Sequence, residues 1–322
     1  MLLNRNGRAV RHGSLFRFIL VELTNLTGAL APREIPGTFL MKKKTCIYLL
    51  ALLPFVLLTM MYLILPLIMV IASSFRSDTT NALTLANYKT VFSKLLYTKA
   101  ITNSIRISLM SAIIGMIIAF LGARAARDCK GRLGTVFTTI LNMVSNFAGI
   151  PLAFAYMILL GNAGVMVQFG RAFGIHALAN FNLYSRNGMS LIYVYFQVPL
   201  ATLLLLPAFD GIRKEWQEAA SLLGSRPSAF WMKVGIPVLM PSILSTFSVL
   251  FANALAAYAT AYALMMNSLS LLPIQIAGCF VGEVKIQKGL GGALSCVMMA
   301  IMVVMILITN GLSKPFRKGV RT

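Results

Sequence analysis

The side chains that could carry out chemistry are few and widely spaced in this chain. Among its 322 residues there are eight Asp and Glu, two His and four Cys. His12 and His176 stand far apart, and no CxxC pair lies near either of them. A metal centre or a nucleophilic triad needs several such groups together, and a phosphate loop needs the GxxxxGK[ST] pattern, which the sequence lacks. The residues therefore predict neither an enzyme, nor a resident cofactor, nor a metal.

The composition instead predicts a protein of the lipid bilayer. The chain is 58% hydrophobic and 11% charged, whereas soluble domains carry about 25% charged residues. So much apolar surface cannot be buried in a water-soluble core. The net charge of +21 could indicate nucleic acid. However, the basic residues lie between apolar stretches and form no patch interleaved with aromatic residues, so nucleic-acid binding is not expected.

Six apolar stretches are long enough to cross a bilayer, which takes about 20 helical residues. They run over 47–74, 104–126, 137–161, 189–209, 241–266 and 290–312. Pro151, Pro199 and Pro207 predict kinks in the third and fourth stretches, and the connection at 162–187 could hold a short interfacial helix. The prediction is an all-α integral membrane protein with six transmembrane helices.

The basic residues also predict the orientation. Of the 29 Lys and Arg, twenty fall in the N-terminal segment, the second and fourth connections and the C-terminal tail, and eight fall in the other connections. The richer side is cytoplasmic by the positive-inside rule. Both termini and the fourth connection are therefore expected inside, in a bacterial inner membrane. Arg106, near the end of the second stretch, is expected to snorkel to the interface.

Three regions follow along the chain. Residues 1–44 form an expected cytoplasmic extension, residues 45–315 the transmembrane domain, and residues 316–322 a cytoplasmic tail. Met41, Lys42, Lys43 and Lys44 precede the first apolar stretch in the manner of an ordinary bacterial start. Residues 1–40 are therefore either a mis-assigned upstream start or a real extension with an interfacial helix at 15–26.

The fourth connection is a charged segment between two apolar stretches. Asp210 is expected to cap a helix that begins near Ile212, with Glu215 and Glu218 early in that helix, where the dipole favours negative charge. Gly224 is suited to the left-handed position that ends a helix. The segment therefore begins with a short helix and a sharp turn.

A second short helix is expected after the turn. Ser225 or Arg226 can cap it, and Pro227 fits its first turn. Pro237 and Pro241 are expected to end it before the fifth stretch begins. Such a rigid pair of helices can transmit the movement of a soluble partner to the spans on either side.

The spacing within this segment resembles the signature loop of the permease subunits of ATP-binding-cassette (ABC) importers. The match consists of Glu-Ala-Ala, three residues, Gly, nine residues, then aliphatic, any residue, aliphatic and Pro. The residues that carry it are Glu218, Ala219, Ala220, Gly224, Val234, Ile236 and Pro237. In that family the segment is the cytoplasmic coupling helix, which docks on the ATPase. The resemblance implies a type I importer fold over about residues 45–315.

The resemblance also implies partners. These are a cytoplasmic ATPase dimer, a second permease subunit that is identical or homologous, and a periplasmic or lipid-anchored substrate-binding protein, with membrane lipid around the spans. The order of features is nearest to permeases for polyamines, iron, sulfate, thiamine or aminophosphonates. The substrate would be a small solute such as a polyamine, a metal or a phosphonate.

Polar residues within apolar stretches are candidates for the translocation path. They are Asn142, Asn146, Gln197, Asn253, Tyr258 and Tyr262. The alternative is that the amides join helices to each other and that the tyrosines belong to an aromatic belt. Gly115 and Ala119 in the second stretch predict close helix contact, with the second permease subunit as the expected neighbour.

Two other functional classes compete with this interpretation. A secondary transporter driven by an ion gradient would be expected to carry acidic residues inside its spans, and the six stretches contain none. An integral-membrane enzyme would need a cluster of His, Asp, Glu or Cys near a membrane face. The importer permease therefore leads, and the secondary transporter is the alternative.

Overall fold

A computed structural model of the chain describes residues 52–78, 80, 82–127, 131–265, 268–281 and 286–319, with side chains up to Phe316. The chain divides into two units between Leu65 and Pro66. The expected extension at 1–44 and its interfacial helix at 15–26 lie outside the described residues. Apart from residues 52–65 of the first helix, the architecture described below belongs to the larger unit.

Helices make up most of the described chain, and no strand occurs within these ranges. The helices are α1 Leu52–Ser74, α2 Ala86–Ser93, α3 Leu95–Arg127, α4 Arg132–Asn146, α5 Ile150–Leu160, α6 Val165–Ala172, α7 His176–Ala179, α8 Arg186–Asp210, α9 Lys214–Leu222, α10 Pro227–Phe230, α11 Ile236–Ala256, α12 Ala259–Met265, α13 Leu272–Val281 and α14 Lys288–Gly319. A π-helical turn, Trp231–Gly235, joins α10 to α11. The chain is therefore an all-α protein over the part that is described.

Six helical segments are long and apolar enough to cross a membrane, which confirms the predicted number. Their bounds differ from the predicted ones. The second begins at Leu95, nine residues earlier than expected. Because α3 begins at Leu95, Arg106 lies about three turns inside this helix, further from the helix end than the sequence predicted. Its side chain is exposed. The fifth begins at Pro227 and the last reaches Phe316.

Two of the predicted spans are interrupted helices. The stretch at 137–161 breaks at 147–149, between α4 and α5, and the stretch at 241–266 breaks at 257–258, between α11 and α12. We call these two interruptions the paired breaks. Pro151 lies in the first turn of α5, where a missing N–H needs no partner. The predicted kink at Pro151 is therefore wrong, because this proline begins a helix.

The second helix of the fourth connection runs directly into the fifth span. α10, the π-helical turn and α11 form one continuous helical segment, Pro227–Ala256. The expectation that Pro237 and Pro241 end this helix is wrong. The wider π-helical turn ends at Gly235, two residues before Pro237, and a proline ring within a regular α-helix would clash with the carbonyl one turn back. The wider turn lets the helix continue past Pro237.

α3 and α8 form the centre of the larger unit and run in the same direction. A Cβ on Gly115 would lie 3.2 Å from the Cβ of Gln197 on α8, and Ala119 is fully buried in the same chain. The expected contact of Gly115 and Ala119 with a second subunit is therefore wrong. Their small size lets two helices of this chain pack closely.

The end of α3 opposite the fourth connection is held by polar contacts between connections. The Asp78 carboxylate accepts hydrogen bonds from the backbone N–H groups of Gly289 (2.6 Å) and Leu290 (3.2 Å), which caps α14. α13 lies in the connection at 267–289, where no helix was predicted. The backbone N–H of Leu272 in α13 donates to the Ser104 hydroxyl of α3 at 2.8 Å in a buried position.

Candidate functional site: a loop helix pair and the paired breaks

α9 begins at Lys214, later than the sequence predicted. Arg213 occupies the N-cap position without a side-chain hydrogen bond, and Asp210 is the last residue of α8. The expected capping role of Asp210 is therefore wrong, because α8 continues one residue further and the chain needs 211–213 to turn. Glu215 does lie in the first turn of α9, where it interacts favourably with the helix dipole.

α9 ends in a Schellman motif built around Gly224. The N–H of Ser225 donates to the carbonyl of Ala220 at 2.9 Å, and the N–H of Gly224 donates to the carbonyl of Ser221 at 3.0 Å. Gly224 has φ +73°, a left-handed conformation that costs a residue with a side chain roughly 1–2 kcal/mol. The predicted role of Gly224 as a helix terminator is confirmed.

α10 starts as predicted, with Arg226 at its N-cap position and Pro227 in its first turn. Phe230 and Trp231 are buried, and the Trp231 ring lies 6.0 Å from that of Phe209 at the end of α8. These aromatic side chains anchor the segment to the spans. We call α9 and α10 the loop helix pair.

The outer side of the loop helix pair is exposed. Glu218 and Ala219 are exposed on α9, and Leu222 and Leu223 are 88% and 87% exposed. Ala220 points the other way and packs against the buried cluster around Phe230 and Trp231. The small Ala220 side chain therefore lets α9 lie close to the spans, while its neighbours face outward.

A cavity of about 370 Å³ lies between the two helices of the pair. Glu218 and Ala220 line it from α9, and Pro227 and Phe230 line it from α10. The closing residues of the signature lie further on: Val234 is in the π-helical turn and exposed, and Ile236 and Pro237 are half-buried in the first turn of α11. The signature thus covers the exposed helix, the turn and the entry into the fifth span.

The paired breaks meet each other within the larger unit. The backbone N–H of Gly149 donates to the Thr260 hydroxyl oxygen at 3.0 Å, and that hydroxyl donates to the Gly149 carbonyl at 3.2 Å. The Tyr193 hydroxyl of α8 donates to the carbonyl of Ala257 at 2.9 Å. Gly149 has φ +79° and ψ −146°, a conformation essentially restricted to glycine. Side chains of other helices thus satisfy the backbone groups freed by the breaks.

Three of the predicted path residues flank these breaks. Asn146 is the last residue of α4, and Tyr258 lies in the second break. The rings of Tyr258 and Tyr262 stack with centroids 5.3 Å apart, which agrees with the expectation that they share a face. Asn146 and both tyrosines are exposed.

The other three predicted residues lie in different surroundings. Asn142 is exposed on α4, and its amide donates to the Thr138 carbonyl of its own helix at 2.9 Å. Asn253 is exposed on α11, one turn before the break. Gln197 is fully buried, and its amide nitrogen donates to the Ser111 hydroxyl of α3 at 3.0 Å. The structure therefore brings Gln197 between two helices of the chain, as the alternative interpretation expected.

Sequence reasoning missed the residues that hold each region in place. Gly149, Thr260 and Tyr193 secure the paired breaks, and Arg124 lies over the Trp231 ring at 4.5 Å from its centroid. Each contact joins segments far apart in the chain. The glycine and proline at Gly149 and Pro151 were the one local signal in the sequence.

Comparisons with known proteins agree with the fold. No family model matches the chain. A probable sulfate transport system permease protein from Helicosporidium sp. subsp. Simulium jonesii is 26% identical over 182 residues, which cover 56% of this chain and 62% of that protein. A trehalose transport system permease protein from Mycobacterium tuberculosis is 23% identical over 274 residues, 80% of this chain and 93% of that protein. The chain thus spans about three fifths of the sulfate permease relative.

Solved structures give the same result at the level of the fold. The crystal structure of a bacterial ABC transporter that imports the acidic polysaccharide alginate matches with a TM-score of 0.68 and 16% identity. The match covers 87% of this chain and 99% of the other. The sequence relatives are permease proteins of transport systems, and the solved structure shows that this chain shares the fold of a chain of an ABC transporter.

Proposed function

We propose that this chain is the transmembrane permease subunit of an ABC importer. It would form the translocation path together with a second permease subunit, identical or homologous. A separate ATPase dimer would supply the energy, and a substrate-binding protein would deliver a small solute. The basic residues support an orientation with both termini in the cytoplasm of a bacterial inner membrane.

The observation that carries this proposal is the exposed side of the loop helix pair. Leu222 and Leu223 are almost fully exposed on a helix that is otherwise rich in charged and small residues. Exposed large apolar side chains beside polar ones are typical of a docking surface. The opposite side is anchored by Phe230 and Trp231. A partner that binds here would therefore move the ends of α8 and α11 together with the loop helix pair.

The paired breaks support the second half of the proposal. Discontinuous helices form the substrate sites of many transporters. Here Asn146, Tyr258 and Tyr262 surround the breaks and are exposed in the isolated chain. We propose that these three residues line the path, with Asn142 and Asn253 near them.

We propose the substrate only as a broad class of small solutes. The sequence pattern favours a polyamine, a metal or a phosphonate. The names of the relatives above refer to sulfate and trehalose, and the matching structure is that of a transporter involved in alginate import. The proposal is therefore a small solute, whose identity rests largely with the binding protein.

Purification from membranes in mild detergent tests the proposal. We expect an ATPase subunit with a phosphate loop to co-purify with the wild-type chain. Leu222→Asp with Leu223→Asp should lose this subunit, because two charges replace the exposed apolar contact, while the fold is kept since neither side chain is buried. Arg132→Glu, an exposed charge reversal on α4, is the matched control and should retain it. If the chain remains alone after crosslinking in membranes, the importer assignment fails.

A further inference from the structure

A cationic pocket lies where the end of α3 meets the loop helix pair. It has a volume of about 460 Å³ and is lined by Leu121, Arg124, Ala125, Arg127, Gln217 and Trp231. No carboxylate is among the described residues that line it. The pocket thus combines two guanidinium groups with an apolar wall at the end of a membrane-spanning helix.

Both guanidinium groups are held in place by the protein. That of Arg124 stacks over the Trp231 ring, and an Nη2 hydrogen of Arg127 is donated to the Ile212 carbonyl. Each contact uses at most one of the five N–H donors of the guanidinium. Side chains that are already fixed lose less entropy when a ligand binds. The planar guanidinium of an arginine presents its N–H donors in a fork that matches the oxygens of a phosphate.

An apolar stripe leads from the pocket along α3. Ile114, Ile117 and Leu121 are exposed and follow one another at helical spacing towards Arg124. Leu121 belongs to both the stripe and the pocket. A ligand that fits both parts has a phosphate at one end and a hydrocarbon chain at the other.

We infer that this pocket binds the phosphodiester headgroup of an anionic phospholipid, with an acyl chain along the Ile114, Ile117 and Leu121 stripe. Basic pockets between membrane helices are known to bind such headgroups. The bound lipid would fix the end of α3 against Gln217 of the loop helix pair. Anionic lipid would therefore stiffen the joint between α3 and the loop, a property that does not depend on the proposed transport function.

Native mass spectrometry of the purified full chain in mild detergent tests the inference. Phosphatidylglycerol should be retained at a much lower lipid concentration than phosphatidylcholine. Replacing both arginines, Arg124→Gln with Arg127→Gln, should weaken retention by about fivefold per arginine. Because these side chains also contact Trp231 and Ile212, Gln217→Glu is the second variant: it keeps both arginines and adds a repelling carboxylate. Gln217→Lys should strengthen retention.

The controls separate a specific site from general attraction. Arg132→Gln removes an exposed charge from α4, outside the pocket, and should leave phosphatidylglycerol retention unchanged. Equal retention of the two lipids by the wild type, or an equal loss in Arg132→Gln and Gln217→Glu, would overturn the inference. Displacement of the lipid by an equal concentration of soluble glycerophosphoglycerol would also overturn it, because the site would then take a soluble phosphate ester without use of the apolar stripe.

Discussion

The loop helix pair and the paired breaks both contain helix ends whose backbone groups need partners, and they obtain them differently. At Gly224 the partners are backbone carbonyls of α9 itself, Ala220 and Ser221. At Gly149 the partner of the N–H is the Thr260 side chain, 111 residues away, and the carbonyl is shared between this side chain and the Ala153 N–H. The loop helix pair is therefore complete within its own segment, whereas the breaks depend on the packing of several helices.

This difference separates two tasks. A segment that satisfies its own backbone can present Glu218, Leu222 and Leu223 outward and move as one piece. Interruptions held by Thr260 and Tyr193 are tied to the core, so they change only if α5, α8 and α12 shift relative to one another. Changes in the loop should therefore affect partner coupling, and changes at the breaks should affect the stability of the larger unit.

The largest expected effect is that of Gly224→Val. A β-branched residue strongly disfavours φ near +73°, and a penalty of one to two kcal/mol shifts an equilibrium roughly 5–30-fold. The Schellman turn should open, and solute uptake should fall by a similar factor while the amount of protein in the membrane stays the same. Uptake in membrane vesicles or cells is the measurement.

Gly224→Asn is the matched control for that variant, because asparagine adopts the left-handed conformation more readily than other residues with side chains. It should retain most of the uptake that valine removes. If the two variants are equally impaired, the conformation of Gly224 is not what matters, and the contrast between a self-contained loop and a core-dependent break loses its main support.

Thr260→Val should have the next largest effect and should act on stability. The substitution keeps the shape of the side chain but leaves the N–H of Gly149 without its partner, and an unsatisfied buried group costs about 1–3 kcal/mol. The Gly149 carbonyl still accepts from the Ala153 N–H at 3.2 Å. The thermal midpoint in detergent should fall. Retention of an ATPase subunit should be unchanged in the same preparation. Thr260→Ser keeps the hydroxyl and should stay close to the wild type, so a fall of the midpoint in this variant too would point to packing instead.

Tyr193→Phe should have a smaller effect on stability. It removes one hydrogen bond, to the Ala257 carbonyl, and such bonds between membrane helices average about 0.6 kcal/mol. The thermal midpoint should fall less than in Thr260→Val, because the aromatic ring and its contact with Phe196 remain. A larger fall than that of Thr260→Val would show that the second break depends mainly on α8.

The same contrast explains what could be predicted from the sequence. Six spans, the Gly224 turn and the Pro227 helix start follow from composition and local spacing, and the structure confirms them. The break at 257–258 has no local signal, because it is stabilised by Tyr193 and Thr260 from elsewhere in the fold. Asp210 was misplaced for a related reason: only the packing of α8 determines that the helix includes this residue.

Gln197→Leu should have the smallest effect, and its sign is informative. The amide oxygen of Gln197 has no hydrogen-bond partner among the described residues, and Ser111 also donates to the Ser108 carbonyl at 3.2 Å, so it keeps a partner after the substitution. Replacing a partly satisfied buried polar group by an apolar one of similar size can be nearly neutral or stabilising. The thermal midpoint should therefore stay the same or rise, and uptake should be unaffected.

Asn146→Ala provides the opposite case to Gln197→Leu. Asn146 is exposed beside the first break, and its amide donates to the Asn142 carbonyl of its own helix at 2.8 Å, so its loss should leave the midpoint unchanged. If Asn146 lines the path, uptake should fall in this variant while it persists in Gln197→Leu. The reverse pattern would move the path away from the paired breaks and into the contact between α3 and α8, which would require those two helices to separate during transport.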